Sequence, residues 1–184
     1  VESIGYLAFS SSALESIVIP KSVTYIGNDS FYFCKSLTSI EIPDTVLNIG
    51  YAAFQYCENL SSVVIPSSIK VINGNLFYDC RSLTEIIIPD GITEIGSNAF
   101  SDCTNLTSIT MPDSIVEIDE HAFDNTAYYN NQDNWDDGAL YIGKHLIKVQ
   151  KDATRFISRD DMLCMAQDAF EGCHKLKHVE IGGR

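Results

Sequence analysis

The chain repeats itself every 23 residues, and no other feature of its sequence constrains the fold as strongly. One proline, one phenylalanine and one cysteine recur at this interval. The recurring positions are Pro20, Pro43, Pro66, Pro89 and Pro112; Phe31, Phe54, Phe77, Phe100 and Phe123; and Cys34, Cys57, Cys80 and Cys103. A fixed period of roughly 20 to 50 residues is typical of a solenoid, in which each repeat forms one coil and stacks on the next.

Each repeat carries two strand patterns. In residues 37–42, Ile40 and Ile42 alternate with polar residues, which places the isoleucines inward and the polar side chains outward. A proline follows and ends the strand, because proline has no N–H for the ladder. A second short strand follows at residues 23–26 and at equivalent positions. We therefore predict a parallel main sheet that contains residues 38–42, 61–65 and 84–88, and a second sheet of short strands.

A turn is predicted directly after the second strand of each coil. The residue there is Gly5, Gly27, Gly50, Asn73, Gly96 or Asp119 in successive coils. These residue types adopt left-handed backbone conformations at low cost, so we predict a positive φ at this position. The next four residues, such as 51–54, predict one helical turn that directs the phenylalanine into the core.

The repeats extend over the whole sequence and predict one solenoid of about eight coils across residues 1–184. Right-handed coiling is expected from the preference of parallel β crossovers. Residues 124–161 depart from the repeat and predict irregular coils with a hairpin, Ala139–Ile142 paired with His145–Val149. A further strand is predicted at 154–157. Two interpretations of this insert stay open, a modified pair of coils or a protruding recognition element that carries Tyr128, Tyr129 and Trp135.

The cysteines predict packing rather than crosslinking. Equivalent residues in stacked coils lie about 4.8 Å apart with parallel side-chain directions, whereas a disulfide needs its two β carbons near about 3.8 Å. We therefore expect a column of buried, reduced thiols. Cys173 occupies the same repeat position, and Cys164 falls in the second strand of the last coil.

No recognised catalytic or metal-binding motif is present in the sequence. The four histidines, His121, His145, His174 and His178, are interpreted as surface residues because none lies in a catalytic or zinc-binding frame. Residues 133–138 resemble a calcium loop, but Trp135 and Lys144 hold positions that an EF-hand gives to oxygen ligands. We expect no enzyme activity, no metal and no cofactor.

The charge distribution excludes one class of partner. The chain has 12 Lys and Arg against 25 Asp and Glu, a net charge of −13, which argues against nucleic acid. Residues 82–143 contain no Lys or Arg. No apolar run approaches the roughly 18 residues of a membrane span, so we expect no direct membrane insertion. The chain starts at Val1 and ends at Arg184 without the Ile-Pro of other coils, so we expect either a piece of a longer protein or an unusual C-terminal closure.

The repeat unit reads V-T-x-I-G-x-x-A-F-x-x-C-x-x-L-T-S-I-x-I-P-x-S. Its L-x-x-I-x-I core resembles that of leucine-rich repeats, and the whole unit looks like the BspA-like (Treponema-type) leucine-rich repeat family. The resemblance implies a leucine-rich-repeat superhelix and a secreted or cell-surface bacterial protein, and some members of the family act in adhesion.

Three functions are compatible with this sequence. The first is a non-catalytic, monomeric binding module for a protein or glycan, which uses the outward rows of the main sheet and the insert as a flank. Its candidate residues are Val18, Glu41, Val64, Glu85, Ile87, Thr110, Tyr128, Tyr129 and Trp135. Val64 and Ile87 are expected to form one contiguous apolar patch, because they lie on adjacent coils. The alternatives are a structural spacer of a larger surface protein and a carbohydrate-active enzyme.

Overall fold

A computed structural model of the chain describes residues 1–182 and shows a stack of coils built from short parallel strands. The repeat solenoid with a parallel main sheet and a second short-strand sheet is therefore confirmed. The predicted last coil ends at Arg184, and residues 183 and 184 lie outside the described residues. No helix within residues 1–182 is long and apolar enough to span a membrane.

The strands are two to five residues long. In chain order they are β1 (Ser3–Ile4), β2 (Tyr25–Ile26), β3 (Ser39–Glu41), β4 (Asn48–Ile49), β5 (Ser62–Val64), β6 (Val71–Ile72), β7 (Glu85–Ile87), β8 (Glu94–Ile95), β9 (Ser108–Thr110), β10 (Glu117–Ile118), β11 (Trp135–Asp136), β12 (Ala139–Ile142), β13 (His145–Val149), β14 (Arg155–Ile157), β15 (Cys164–Met165) and β16 (His178–Glu180). One short helix, α1 (Ala127–Asn130), and a 3₁₀ turn (Gln132–Asn134) lie in the insert.

Both sheets pair residues that are one repeat apart. In the main sheet, β3 pairs with β5, β7 with β9 and β14 with β16, all in parallel. In the second sheet, β1, β2 and β4 form one set and β6, β8 and β10 another. Inward side chains such as Ile40 and Ile86 are buried, whereas their outward neighbours are exposed. The alternation of the sequence therefore sets which face of each strand enters the core.

A continuous stack of phenyl rings runs through the core. Phe9, Phe31, Phe54, Phe77, Phe100 and Phe123 lie with neighbouring ring centroids 5.2 to 5.6 Å apart and with planes within 16° of parallel. The five rings from Phe31 onward are almost wholly buried. Each buried ring contributes about 1.5–3 kcal/mol through burial. This stack holds successive coils at one spacing over most of the chain.

The cysteine column is buried and reduced, as the repeat spacing predicts. Each of these thiols donates a hydrogen bond to a phenylalanine carbonyl oxygen of the preceding coil. The S···O distances are 3.0 Å for Cys34, 3.2 Å for Cys57, 3.3 Å for Cys80 and 3.1 Å for Cys103. The thiol therefore satisfies a backbone carbonyl inside the core as well as filling space.

The segment after the second strand is not a helical turn, so that prediction was wrong. The N–H groups of Ala52, Phe54 and Tyr56 donate to carbonyl oxygens of the next coil instead of bonding within their own segment. Alternate residues between them make tight turns, and Ala52 and Tyr56 have φ values of 53° and 60°. Bonds between coils are favoured because they join each turn to its equivalent, as the two ladders join the strands.

The predicted positive φ at the turn glycine was also wrong. Glycine is required there by close contact between the backbones of adjacent coils. Positive φ occurs two residues later, at residues such as Ala52 and Asn75. At the glycine itself the backbones of adjacent coils almost touch. A β carbon on Gly27, Gly50 or Gly96 would lie 2.8, 2.4 or 2.6 Å from backbone atoms of the preceding coil. Glycine is used there because a side chain has no room.

The insert continues the stack rather than protruding from it. Thr126 stands where other coils have cysteine, and its hydroxyl accepts the N–H of Tyr129 and so caps α1. Strands β12 and β13 form the predicted hairpin, with Ile142 opposite His145. Strand β13 then pairs in parallel with β15, which rejoins the repeat. The structure favours the interpretation of this region as modified coils.

His145 corrects the expectation that every histidine lies on the surface. Its side chain is fully buried in the hairpin, and Nε2 lies 3.1 Å from the carbonyl oxygen of Pro112. Nδ1 lies 3.4 Å from Sγ of Cys164. Burial lowers the pKa of His145 below its ordinary value, so the imidazole is neutral near pH 7. The residue bonds the hairpin to the preceding coil.

We predict that Ser30→Ala stabilises the protein. The Ser30 hydroxyl is buried and has no hydrogen-bond partner among residues 1–182, and equivalent coils carry Ala53 or Ala99. Removal of an unpaired buried hydroxyl should raise the free energy of unfolding in urea by about 1–2 kcal/mol. The control is Ser114→Ala, whose hydroxyl donates to Ile92 O and should cost about 1 kcal/mol when removed. A loss of stability in Ser30→Ala would contradict this account of the site.

Thiol labelling provides a second prediction. Burial raises the pKa of Cys57 and Cys103 to about 12, and iodoacetamide at pH 8 should therefore modify Cys164 and Cys173 first. Intact mass should show two fast adducts in buffer and six in urea. Equal labelling rates for all six thiols in buffer would disprove the buried column.

The raised pKa values also predict how stability depends on pH. Because the folded state holds Cys57 and Cys103 protonated, the stability that they confer is present below pH 9 and should decline from pH 9 towards 12.

Candidate binding face of the main sheet

The outward side of the main sheet exposes the residues that the sequence nominated. Val18, Val64 and Ile87 are 91%, 62% and 60% exposed. Glu41, Glu85 and Thr110 are exposed on the same strands or beside them. Their exposure follows from the two-residue period of the strands, because their sequence neighbours occupy the core. We call this surface, defined by Val18, Glu41, Val64, Glu85, Ile87 and Thr110, the binding face.

Three adjoining cavities lie along the binding face. The largest, about 640 Å³, lies over β3 and β5 and is lined by Glu41, Asp44 and Val64 among others. A second cavity of about 350 Å³ adjoins it around Val18 and shares Glu41. A third, about 360 Å³, lies between β5 and β7 and shares Val64 with the first. Shared lining residues make them one continuous groove across four coils.

The groove has an apolar floor and mostly acidic charge. Its lining includes Glu41, Asp44 and Glu85 against one basic residue, Lys21. Within the described part of the chain, neither Glu41 nor Glu85 forms an ion pair with Lys, Arg or His. The lining of the three cavities contains no histidine, cysteine or aromatic side chain. This combination suits recognition by apolar contact and charge better than nucleophilic chemistry.

The main sheet is interrupted inside this groove. Strands β5 and β7 belong to adjacent coils but do not pair, and the corresponding short strands β4 and β6 do not pair either. At other coils the residue before the strand donates across the ladder, as Ser61 N–H does to Thr38 O and Thr107 N–H to Thr84 O. Over residues 1–182, the N–H of Thr84 has no such acceptor. We call the space between β5 and β7 the gap.

Val64 and Ile87 stand on neighbouring coils and both line the third cavity, although their strands β5 and β7 do not pair. The coils stay joined at this position, because the rings of Phe54 and Phe77 stack at 5.6 Å and Phe54 N–H donates to Leu76 O. The contiguous apolar patch of Val64 and Ile87 stays a prediction.

Asn73 accounts for the interruption. It occupies the glycine column, where Gly50 N–H donates to Ile26 O and Gly96 N–H to Ile72 O. At Asn73 the side-chain amide takes that role instead, with Nδ2 2.6 Å from Ile49 O. A β carbon and an amide then stand where the other coils have close backbone contact. The side-chain bond thus takes the place of the backbone bond at this joint, where neither ladder pairs.

Asp119 provides the comparison. It stands in the same column, yet its backbone N–H donates to Ile95 O and β8 pairs with β10. A carboxylate has no N–H to offer a carbonyl oxygen, so the backbone must supply the bond. The side-chain donor of asparagine, rather than the size of the residue, therefore separates the two cases.

The aromatic residues of the insert serve packing. Tyr128 O–H donates to Tyr141 O at 3.0 Å, and Trp135 Nε1 donates to Tyr129 O at 2.9 Å. The rings of Tyr129 and Trp135 meet edge to face with centroids 5.6 Å apart. All three nominated aromatics are partly buried against the core, and none lines the three cavities of the binding face.

One cluster has the residue types of a metal site. Ligand atoms of His121, Asp168 and Glu171 lie within 4.8 Å of one another. The ammonium of Lys148 already stands among them, 2.6 Å from Asp168 and 3.2 Å from Glu171. Burial alone would lower the pKa of Lys148, but its bonds to Asp168 and Glu171 raise it above the ordinary value. The lysine thus supplies the positive charge that a cation would bring.

Comparison with known proteins gives the following matches. The family model described as the BspA type leucine rich repeat region matches residues 2–130 in six copies. No curated protein matches the chain. A leucine rich cell surface protein from Faecalibacterium prausnitzii A2-165 is similar in structure, with 24% identity and a TM-score of 0.66 over 99% of this chain and 65% of that one.

Two further structures have the same fold. The leucine rich repeat protein of T. pallidum is 24% identical, with a TM-score of 0.63 over 99% of this chain and 78% of that one. A leucine-rich repeat protein from Eubacterium ventriosum ATCC 27560 is 26% identical, with a TM-score of 0.63 over 69% of this chain and 41% of that one. The chain thus spans less than two thirds of the Faecalibacterium and Eubacterium proteins.

Proposed function

We propose, from the premise that this chain belongs to the BspA type leucine rich repeat family, that it is a binding module of a bacterial surface protein. Membership of this family is the established part of the statement. Secretion, adhesion, a monomeric state and the absence of catalysis are our proposals for this chain. The partner we propose is a protein that contacts the binding face.

The observation that carries the proposal is the groove along the main sheet. It joins three cavities across four coils and exposes Val18, Val64 and Ile87 beside the acidic side chains of Glu41 and Glu85. Apolar side chains that are exposed together within a concave surface mark interaction sites more often than isolated ones do. Solenoids present such extended surfaces because every coil adds one strand to the same sheet.

The groove also bears on the two alternatives. A structural spacer requires stable stacking of coils but no exposed valine or isoleucine on its sheet, so Val18, Val64 and Ile87 favour binding over spacing. Sugar rings are commonly held against flat aromatic side chains, and the cavities of the binding face contain none. A protein partner with apolar anchors therefore fits this surface better than a glycan.

A surface location is proposed because the chain resembles a family known for surface proteins and because the similar Faecalibacterium protein is described as a cell surface protein.

We predict that Val64→Lys combined with Ile87→Lys abolishes partner binding. Two ammonium groups would replace apolar contacts at the centre of the groove, and affinity should fall at least tenfold, about 1.4 kcal/mol or more. The measurement is biolayer interferometry against a panel of host matrix proteins and glycans. The matched control is Leu47→Lys with Val116→Lys, which changes two residues that are 63% and 71% exposed beside the second sheet.

The same experiment separates the main sheet from the insert. A partner that is lost with the groove pair and kept with the control pair places binding on the main sheet. A partner that survives the groove pair but is lost on Trp135→Ala would place binding on the insert and contradict the proposal. A glycan as the bound member of the panel would contradict the choice of a protein partner.

A further inference from the structure

We propose that the gap between β5 and β7 binds the side chain of an arginine or lysine carried by an extended segment of the partner. The proposal rests on the proposed function and names the chemistry that the binding face selects. The proposal extends the proposed function, because it assigns one position of the groove, the gap, to one kind of partner side chain. The evidence is the set of backbone polar groups that the interrupted ladder leaves without partners across the gap.

The gap leaves a backbone acceptor without a donor. Across intact joints, the carbonyl oxygen before the strand accepts from the next coil, and Thr84 O accepts both the N–H and the hydroxyl of Thr107, at 3.0 and 3.3 Å. Among residues 1–182, Ser61 O receives no such bond, because Thr84 N–H is withdrawn. Ser61 is exposed, so its carbonyl oxygen is open to a donor from a ligand in place of water.

The remaining lining of the gap is suited to a positively charged, long side chain. Glu85 contributes a carboxylate, and the hydroxyls of Ser62 and Thr84 add further acceptors. Val64 and Ile87 form apolar walls that fit the methylene stem of lysine or arginine. Ammonium and guanidinium groups carry only donors, so they match a site made of carbonyl, carboxylate and hydroxyl oxygens.

Within residues 1–182, no cationic side chain lines the gap. The lining of the gap has no Lys, Arg or His, and residues 82–143 contain no Lys or Arg at all. The neighbouring part of the groove differs, because Lys21 lines it beside Glu41 and Asp44. Among residues 1–182, Glu85 forms no ion pair, so its carboxylate is available to a cationic partner. Charge complementarity at such a position sets specificity and salt dependence.

The free N–H of Thr84 indicates how the partner's backbone would contribute. Across the gap, this N–H has no carbonyl acceptor on the preceding coil within the described residues. A carbonyl oxygen of an extended segment can take the place of that acceptor. A segment lying across the groove thus offers a carbonyl to Thr84 and a cationic side chain to Ser61 O and Glu85. Both sets of unpaired groups are then satisfied by one strand-like ligand.

The test uses small probes with the intact chain. N-acetyl-arginine amide and N-acetyl-lysine amide are titrated while amide chemical shifts are followed by NMR. The expected result is a saturating shift at Ser62, Thr84 and Glu85. N-acetyl-citrulline amide, which has the shape of the arginine probe without its charge, should bind at least about tenfold more weakly, since the charge-assisted bonds are lost.

A matched pair of variants locates the charge. Glu85→Gln should weaken the arginine probe about tenfold, and Glu120→Gln, the same change at an exposed residue away from the gap, should leave it unchanged. Equal weakening by both variants would show that net charge alone attracts the probe and would overturn the proposal. Shifts confined to other residues, or equal binding of citrulline, would overturn it as well.

Failure of the gap assignment can be distinguished from failure of the proposed function. If the groove pair, Val64→Lys with Ile87→Lys, abolishes partner binding while the arginine probe does not shift the amides of the gap, the binding face stands and the assignment of the gap fails. If N,N′-diacetylchitobiose shifts Ser62 and Thr84 and the arginine probe does not, the gap recognises a glycan and the assignment likewise fails.

Discussion

Backbones of neighbouring coils approach so closely at Gly27, Gly50 and Gly96 that a β carbon does not fit there. Gly50 shows the limit, because a β carbon there would lie 2.4 Å from atoms of Asn28. The same stacking sets the phenyl rings 5.2 to 5.6 Å apart and bonds the thiols to carbonyls of the preceding coil. Asp119 is accommodated in this column because its backbone N–H still bonds the preceding coil.

The proposed site arises where this constraint is relaxed. Asn73 replaces glycine and offers its side-chain amide to Ile49 O, so the backbone loses the bond that closes the ladder in other coils. The strands β5 and β7 stay unpaired, while the coils remain stacked at Phe54 and Phe77. One side-chain donor thereby produces both the gap and the free polar groups of Ser61 and Thr84. A solenoid can thus acquire a specific site without any change in its core.

Reasoning from the sequence succeeded where one coil repeats another. The strands, the buried column of cysteines and the hairpin at Ala139–Ile142 follow from alternation and spacing, and the structure contains them. The predictions from the sequence were wrong where contacts between neighbouring coils, rather than the residues of one coil, determine the backbone conformation. The turn glycines were interpreted through their own φ, whereas they are required by the neighbouring backbone. The segment at 51–54 resembles a helical turn within one coil, but its N–H groups bond to the next.

The sequence does contain a signal for the gap between β5 and β7, namely the difference between asparagine and aspartate in the glycine column. Asn73 and Asp119 both tolerate turns and were treated alike, yet only asparagine can donate to a carbonyl oxygen. That difference is visible in the sequence once the column is known to hold interstrand bonds. The burial of His145 had no such signal, because the insert breaks the repeat and its contact with Pro112 joins distant residues.

Amide hydrogen exchange tests the central claim most directly, by comparing Thr84 with Thr107 in the natural chain and in Asn73→Asp. The account predicts that Thr84 exchanges at least about a hundredfold faster than Thr107 in the natural chain. In Asn73→Asp, which removes the side-chain donor without changing size, residue 73 and Thr84 should become protected while Thr107 stays unchanged. Equal protection of Thr84 and Thr107 in the natural chain would contradict the interrupted ladder and the site built on it.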